Sequence, residues 1–217
     1  TTHAHPKIRA RADAADRVWQ LPRPIPTADG NDFLTHHSGD TWRALSHIAG
    51  ATAHDTVQGP DHAREAGIVL GHFQDLLSDM DASLLADTLP GFHVTPGYLA
   101  RYDEVLATDL AQSRLDASSD ARDIAAAIDE RRPLACILQD ALDTGELTQR
   151  PVHGDPKVSN IMIDDLTGLG TCIIDLDTAK PGLIHYDFGD AIRSTCNPAG
   201  EETTNLDEVT IDLGLLE

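Results

Sequence analysis

The sequence predicts an α+β fold, and three observations predict it. Short β-prone runs punctuated by prolines and turn residues fill the stretch before residue 50. Amphipathic helical stripes dominate residues 61–142, and a β-hairpin pattern follows Pro151.

In chain order, Ala10 to Trp19 alternates charge and alanine and reads as a helix. Pro22, Pro24 and Pro26 then forbid regular structure and make a linker or the start of a strand. Two short strands are expected at Phe33-Leu34 and from Thr41 to Ile48, with turns at Asp29-Gly30-Asn31 and Ser38-Gly39-Asp40. Gly50 and the polar residues up to Pro60 read as a hinge.

Asp61 to Met80 is the clearest helix. Ala63, Ala66, Val69/Leu70, Phe73 and Leu76/Leu77 recur every three or four residues, which places them on one face, and Asp61 is the expected N-cap. After a Pro90-Gly91 turn, helices are expected over Leu99–Gln112 and Asp120–Leu142, the second interrupted by Pro133. Ile161–Ile163 and Thr171–Leu176 are β-rich runs joined by Asp164-Asp165-Leu166-Thr167-Gly168, a hairpin. Side chains at strand ends are held firmly yet stay near solvent, where chemistry is best placed.

Composition narrows the function classes. The 217 residues are 41% hydrophobic but only 4% aromatic, so aliphatic side chains fill the core. With 16 basic and 36 acidic residues the net charge is −20, which repels nucleic-acid phosphates and argues against a nucleic-acid partner. The same field repels a nucleoside triphosphate unless a metal ion and local cations offset it. No run of about 18 apolar residues suggests a membrane span. Thr1 in place of an initiator Met suggests a processed or excised chain. Cys136, Cys172 and Cys196 are odd in number and lack CxxC spacing, which fits a reduced, cytoplasmic setting, with Cys172 a small core residue.

The chemistry-bearing residues cluster around the hairpin. His153-Gly154-Asp155-Pro156-Lys157-Val158-Ser159-Asn160 precedes its first strand, and Ile173-Ile174-Asp175-Leu176-Asp177 closes its second. Magnesium takes oxygen ligands, commonly one or two carboxylates with substrate phosphates and water, and Asn160 and Asp175 can supply two such oxygens. Asp155 can then hold an attacking hydroxyl and accept its proton. Lys157, two residues on, can offset negative charge on a γ-phosphate. An H-x-D followed by Asn five residues after the Asp is the spacing of kinase catalytic loops, where catalysis is positioning plus charge neutralisation. Asp177 stays open between a metal ligand, a carboxylate behind the ligands and a solvated side chain. His153 reads as structural, and Lys180 and Arg193 as surface cations able to orient a phosphate or a sugar hydroxyl.

These motifs resemble those of the aminoglycoside phosphotransferase and choline kinase superfamily, and within it the N-acetylhexosamine 1-kinase-like phosphotransferases. The resemblance runs through Pro90–Pro96, Val152–Asp164, Ile174–Thr178, Pro181-Gly182-Leu183 and Tyr186–Arg193. It implies a protein-kinase-like fold with an incomplete β-rich N-terminal lobe and a mainly helical C-terminal lobe carrying the catalytic hairpin. The expected division is a partial nucleotide lobe over residues 1–50 and a catalytic lobe over 51–217, truncated at its end. It further implies ATP and magnesium as cofactors, a small-molecule hydroxyl acceptor (an amino sugar or related hexose at the anomeric position), Asp155 as base, Asn160 and Asp175 on magnesium, and Asp187 as buttress of the catalytic loop.

Asp187-Phe188-Gly189 spells the D-F-G of protein kinases. It lies 32 residues after Asp155, whereas the hairpin return supplies Asp175 after only 20, so the metal is assigned to Asp175. Two family features are missing: no Gly-rich loop precedes residue 50, and the only early lysine is Lys7. A non-catalytic pseudokinase, a kinase for aminoglycoside, choline or homoserine, and a metal-dependent phosphohydrolase therefore remain open as alternatives.

Overall fold

The computed structural model describes residues 3–10 and 17–216. They form two compact units, one comprising the chain through Ala86 together with residues from Arg150 onward, the other spanning Asp87–Gln149.

In the first unit, α1 (Ala4–Ala10) opens the described chain. The helix expected over Ala10–Trp19 falls mostly on residues 11–16, outside the described residues, and residues 17–20 are not helical. Four two-residue strands follow where two were expected. β1 (Pro24–Ile25) pairs with β4 (Ala44–Leu45), and inside that pair β2 (Leu34–Thr35) pairs with β3 (Thr41–Trp42), giving nested antiparallel hairpins. The anticipated turns are present: Gly30 N–H donates to the Thr27 carbonyl and Gly39 N–H to the His36 carbonyl, each at 2.9 Å.

The hinge expected over residues 50–60 is corrected by the structure. Its first residues form β5 (Ala51–Ala53), which pairs antiparallel with β7 (Ile161–Asp164) at Thr52↔Ile163. The long helix α2 spans Pro60–Leu76, ending earlier than Met80. Its N-cap is Gly59, not Asp61: Pro60 occupies the first helical turn, where a missing N–H costs nothing, and the Asp61 carboxylate instead takes a hydrogen bond from Arg64 at 2.8 Å.

The apolar stripe of α2 does what its spacing predicts. Ala66, Val69, Leu70 and Phe73 pack against Ile161 of β7 and Ile173 of β8 (Gly170–Ile173), while Leu77 packs at the edge of this core. A Cβ on Gly170 would lie 2.3 Å from the Val69 side chain, so glycine lets β8 approach the helix. Beside it, Arg17 and Glu65 form a buried ion pair, and the Gly170 N–H and carbonyl bind Glu65 and Arg17 at 2.8 and 2.7 Å. Burial pushes the Glu65 carboxyl up, but Arg17 and the Gly170 N–H outweigh it and hold the group below its ordinary value. Gln20 N–H donates to the Thr171 carbonyl at 2.8 Å, fastening the segment after Arg17 to β8.

The second unit is helical: α3 (Thr95–Leu106), α4 (Asp109–Ala117), α5 (Ser119–Arg131) and α6 (Ile137–Asp143). Two expected helices are thus four. Thr108 interrupts the first, and Ser118 separates α4 from α5, by capping: their hydroxyls accept from Ala111 N–H at 3.3 Å and Ala121 N–H at 3.2 Å. Pro133 sits in a 3₁₀ turn, Arg132–Leu134, between α5 and α6.

Candidate active site

Two short antiparallel pairings bring the site together. β6 (Arg150–Val152) pairs with β9 (Lys180–Gly182), and β7 pairs with β8. The loop 153–160 leaves β6 and enters β7, and the loop 174–179 leaves β8 and enters β9. Each loop is therefore anchored at both ends to strands paired with the strands that anchor the other. They have no choice but to run side by side.

Hydrogen bonds stitch them together. Ile174 N–H donates to the Asn160 carbonyl at 2.9 Å, and the Thr178 hydroxyl donates to the His153 carbonyl at 2.8 Å. The fully buried His153 spans the gap: Nδ1 accepts the Asp155 N–H at 3.3 Å, so Nε2 carries the proton and donates to the Ile174 carbonyl at 2.9 Å. Burial pushes its pKa down, which keeps the ring neutral and this tautomer in place. Gly154 has φ 86°, and a Cβ there would meet the Thr178 carbonyl oxygen at 2.7 Å. Glycine is required by both backbone and neighbour.

Beneath the first loop lies α7 (Ile184–Thr195). The carboxylate of Asp187, fully buried, accepts from His153 N–H at 2.9 Å and Gly154 N–H at 2.8 Å. Burial pushes this carboxyl up, against the pull of those two donors. With both oxygens committed to backbone N–H groups, Asp187 buttresses the loop and does not face outward as a metal ligand. Ser194, two turns further along the same helix face, accepts from Val158 N–H at 2.9 Å.

The sequence-identified residues fall as follows. Asp155 and Asn160 are adjacent: Asn160 Nδ2 donates to the Asp155 carbonyl at 2.8 Å and lies 3.4 Å from its carboxylate. Lys157 Nζ stands 3.5 Å from the same carboxylate. Asn160 is buried and held through its Nδ2, which leaves Oδ1 as its remaining side-chain acceptor. Asp175 follows Ile174 in the neighbouring loop with φ 60° and ψ 60°, a left-handed conformation uncommon for a non-glycine residue, and its side chain is exposed. Asp177, in the 3₁₀ turn Leu176–Thr178, is ion-paired with Arg43, between β3 and β4. Both partners are more than half exposed, so the pair contributes roughly 0–1 kcal/mol to stability.

Two expectations are corrected. Leu176 belongs to the 3₁₀ turn rather than to β8. Lys180 is buried in β9, where it pairs with the buried Val152 of β6, and is no surface cation. Arg193, by contrast, is half exposed and paired with Asp190 and Glu201.

A cavity of about 500 Å³ adjoins the site. Apolar side chains line most of it, including Leu21, Leu45, Phe73 and Leu76, and His3, Arg43, Asp175 and Asp177 form its polar part. The sequence reading missed Arg43, Thr178 and Ser194. Arg43 is 134 residues from its partner, and nothing local in the sequence marks it.

Among the described residues, no three His, Cys, Asp or Glu side chains are grouped to hold a metal ion. On the two neighbouring loops, an amide oxygen and a carboxylate are the donor types that a hard cation takes when its other ligands come from a bound phosphate. Among the described residues no helix is long and apolar enough to cross a membrane. Compared with known proteins, the chain matches the phosphotransferase enzyme family (APH) along residues 1–205.

Proposed function

Because the chain belongs to the phosphotransferase enzyme family, with the protein-kinase-like fold of that family and small-molecule phosphotransferase ancestry, we propose that it transfers the γ-phosphoryl group of ATP to a hydroxyl of a small polar metabolite. One observation carries the reading: the paired strands hold the Asp155–Asn160 loop against the loop bearing Asp175.

Asp155 is the base. It holds the acceptor hydroxyl in line and takes its proton as that oxygen bonds to the γ-phosphorus, while the bond from the γ-phosphorus to the β,γ-bridging oxygen breaks and ADP leaves. Asn160 Oδ1 and Asp175 would hold magnesium, with Asp177 as a third candidate; when bound, the ion would neutralise charge on the transferred phosphoryl group. Lys157 adds a cation on the Asp155 side and restrains that carboxylate. His153 and Asp187 touch no reacting atom; they set where the Asp155 and Asp175 backbones lie. The orientation of Asn160, tied down through Nδ2 with Oδ1 left over, supports this assignment.

The acceptor we favour is an amino sugar or related hexose, phosphorylated at its anomeric hydroxyl as in the N-acetylhexosamine 1-kinase-like enzymes, in the cytoplasm. The lobe boundary is drawn at residue 50, after the nested hairpins of β1–β4 and before β5, with both sides in the same compact unit. A coupled ATP-consumption screen across amino sugars, choline and aminoglycosides tests the proposal. Turnover with an amino sugar, lost by a factor of 10² or more in Asp155→Ala, is the expected result. Full turnover in that variant removes the base.

A further inference from the structure

We infer that Arg43 is a nucleotide-phosphate ligand, and that its ion pair with Asp177 is the resting form of an exchange completed when a metal–nucleotide complex binds. The inference rests on the kinase reading above and extends it to a residue outside both catalytic loops.

Three observations support it. First, Arg43 and Asp177 line the same cavity as Asp175, so the guanidinium and the carboxylate assigned to the metal face one space. Second, the pair is open to solvent, at 51% and 59% side-chain exposure, unlike the buried Arg17–Glu65 pair at 5% and 6%. The buried pair cannot release either partner without stranding a charge, whereas the exposed one separates at little cost. Third, the net charge of −20 demands cations wherever a triphosphate settles. Lys157 is one, 3.5 Å from the Asp155 carboxylate. Arg43 is a second, on the Asp175 side, and its planar fork suits phosphate oxygens.

The charges exchange evenly. In the resting pair, the guanidinium plays the cation for Asp177, and Asp177 plays the anion for Arg43. A bound metal–nucleotide brings both signs, so the guanidinium moves to phosphate oxygens and the carboxylate is released toward the cation. No bond is made or broken and no proton moves.

The alternative is a plain latch holding the β3–β4 bend to the 174–179 loop. Calorimetric titration with ATP in EDTA, and again with magnesium, separates the two. Without metal, Arg43→Ala is expected to weaken ATP binding about tenfold, the low end for a charge-assisted contact. Asp177→Asn frees the guanidinium and is expected to tighten metal-free binding by roughly threefold, since the exposed pair it breaks is weak. Arg43→Lys keeps the charge and recovers part of the loss. Opposite signs for Arg43→Ala and Asp177→Asn support the exchange. A latch shifts both in one direction, and that result, or no change in either, overturns it. If the unaltered chain binds no nucleotide with or without magnesium, the kinase reading falls and takes this inference with it. Both side chains lie at the surface, and melting curves for each variant confirm folding independently.

Discussion

Removing the Asp187 carboxylate exposes how far the catalytic loop depends on one buried side chain. In Asp187→Ala, the N–H groups of His153 and Gly154, now satisfied at 2.9 and 2.8 Å, lose their acceptor in a site that water does not reach. Each orphaned buried donor costs about 1–3 kcal/mol, so the gross loss is about 2–6 kcal/mol. Relief of the carboxylate's own desolvation works in the other direction and brings the expected net to about 3 kcal/mol. Against a total stability of about 5–15 kcal/mol for a domain, that is a large fraction. Asp187→Asn keeps one acceptor oxygen but turns an NH₂ toward the second N–H, so about half the loss is expected. Urea unfolding followed by the fluorescence of Trp19, which stacks on His72 at 3.6 Å, reads both values. An unchanged midpoint for Asp187→Ala refutes the buttress. So does an Asp187→Asn protein of normal stability whose nucleotide binding has lost its magnesium dependence, because Asp187 would then be the metal ligand that the D-F-G spelling suggests.

Two further perturbations follow from the same geometry. Gly154→Ala combines a positive φ with a 2.7 Å contact to the Thr178 carbonyl, so a loss of about 2 kcal/mol or more and reduced turnover are expected; Gly189→Ala in α7, with open space around it, is the control and should not destabilise, gaining up to about 1 kcal/mol from helix propensity in the same urea assay. Stability should also fall in mild acid. The folded pKa of His153, and that of His62, lie below the ordinary 6.5 because of burial, and for His62 also because of His54. Above pH 6.5 neither state takes a proton. Below it the unfolded chain protonates histidines that the folded chain keeps neutral, so stability drops by up to about 1.4 kcal/mol per pH unit for each histidine until its folded pKa is reached. Urea midpoints at pH 7.5, 6.5 and 5.5 check this, and a midpoint that rises toward pH 5.5 contradicts it.

What the sequence made legible was what depends on local period and on order. The stripe Ala63–Leu77 and the hairpin strands at 161 and 171 were readable because burial on one face imposes a period of 3.6 or 2. The Asp155–Asn160 spacing was readable because one loop sets it. What stayed hidden depends on partners far along the chain. β5 is three residues with one exposed side chain, and only its pairing with β7, about 110 residues away, makes it a strand. Asp61 looked like a cap because the pattern begins there, but Pro60 fixed the helix start one residue earlier. Glu65 is an acidic residue on a helix face until Arg17 and Gly170 meet it. Arg43 is unremarkable until the fold sets it against Asp177.

The claim beneath all of this is that Asn160 and Asp175, from two loops held together by β6–β9 and β7–β8, share one cation with a bound phosphate. Electron paramagnetic resonance of free Mn²⁺, titrated with the protein in the presence of ATP, measures that sharing directly. The account predicts that Asn160→Ala and Asp175→Asn each weaken Mn²⁺ uptake into the ternary complex by about tenfold or more, with Phe188→Ala unchanged at the exposed surface. Mn²⁺ uptake equal to that of the unaltered chain in Asp175→Asn would contradict it.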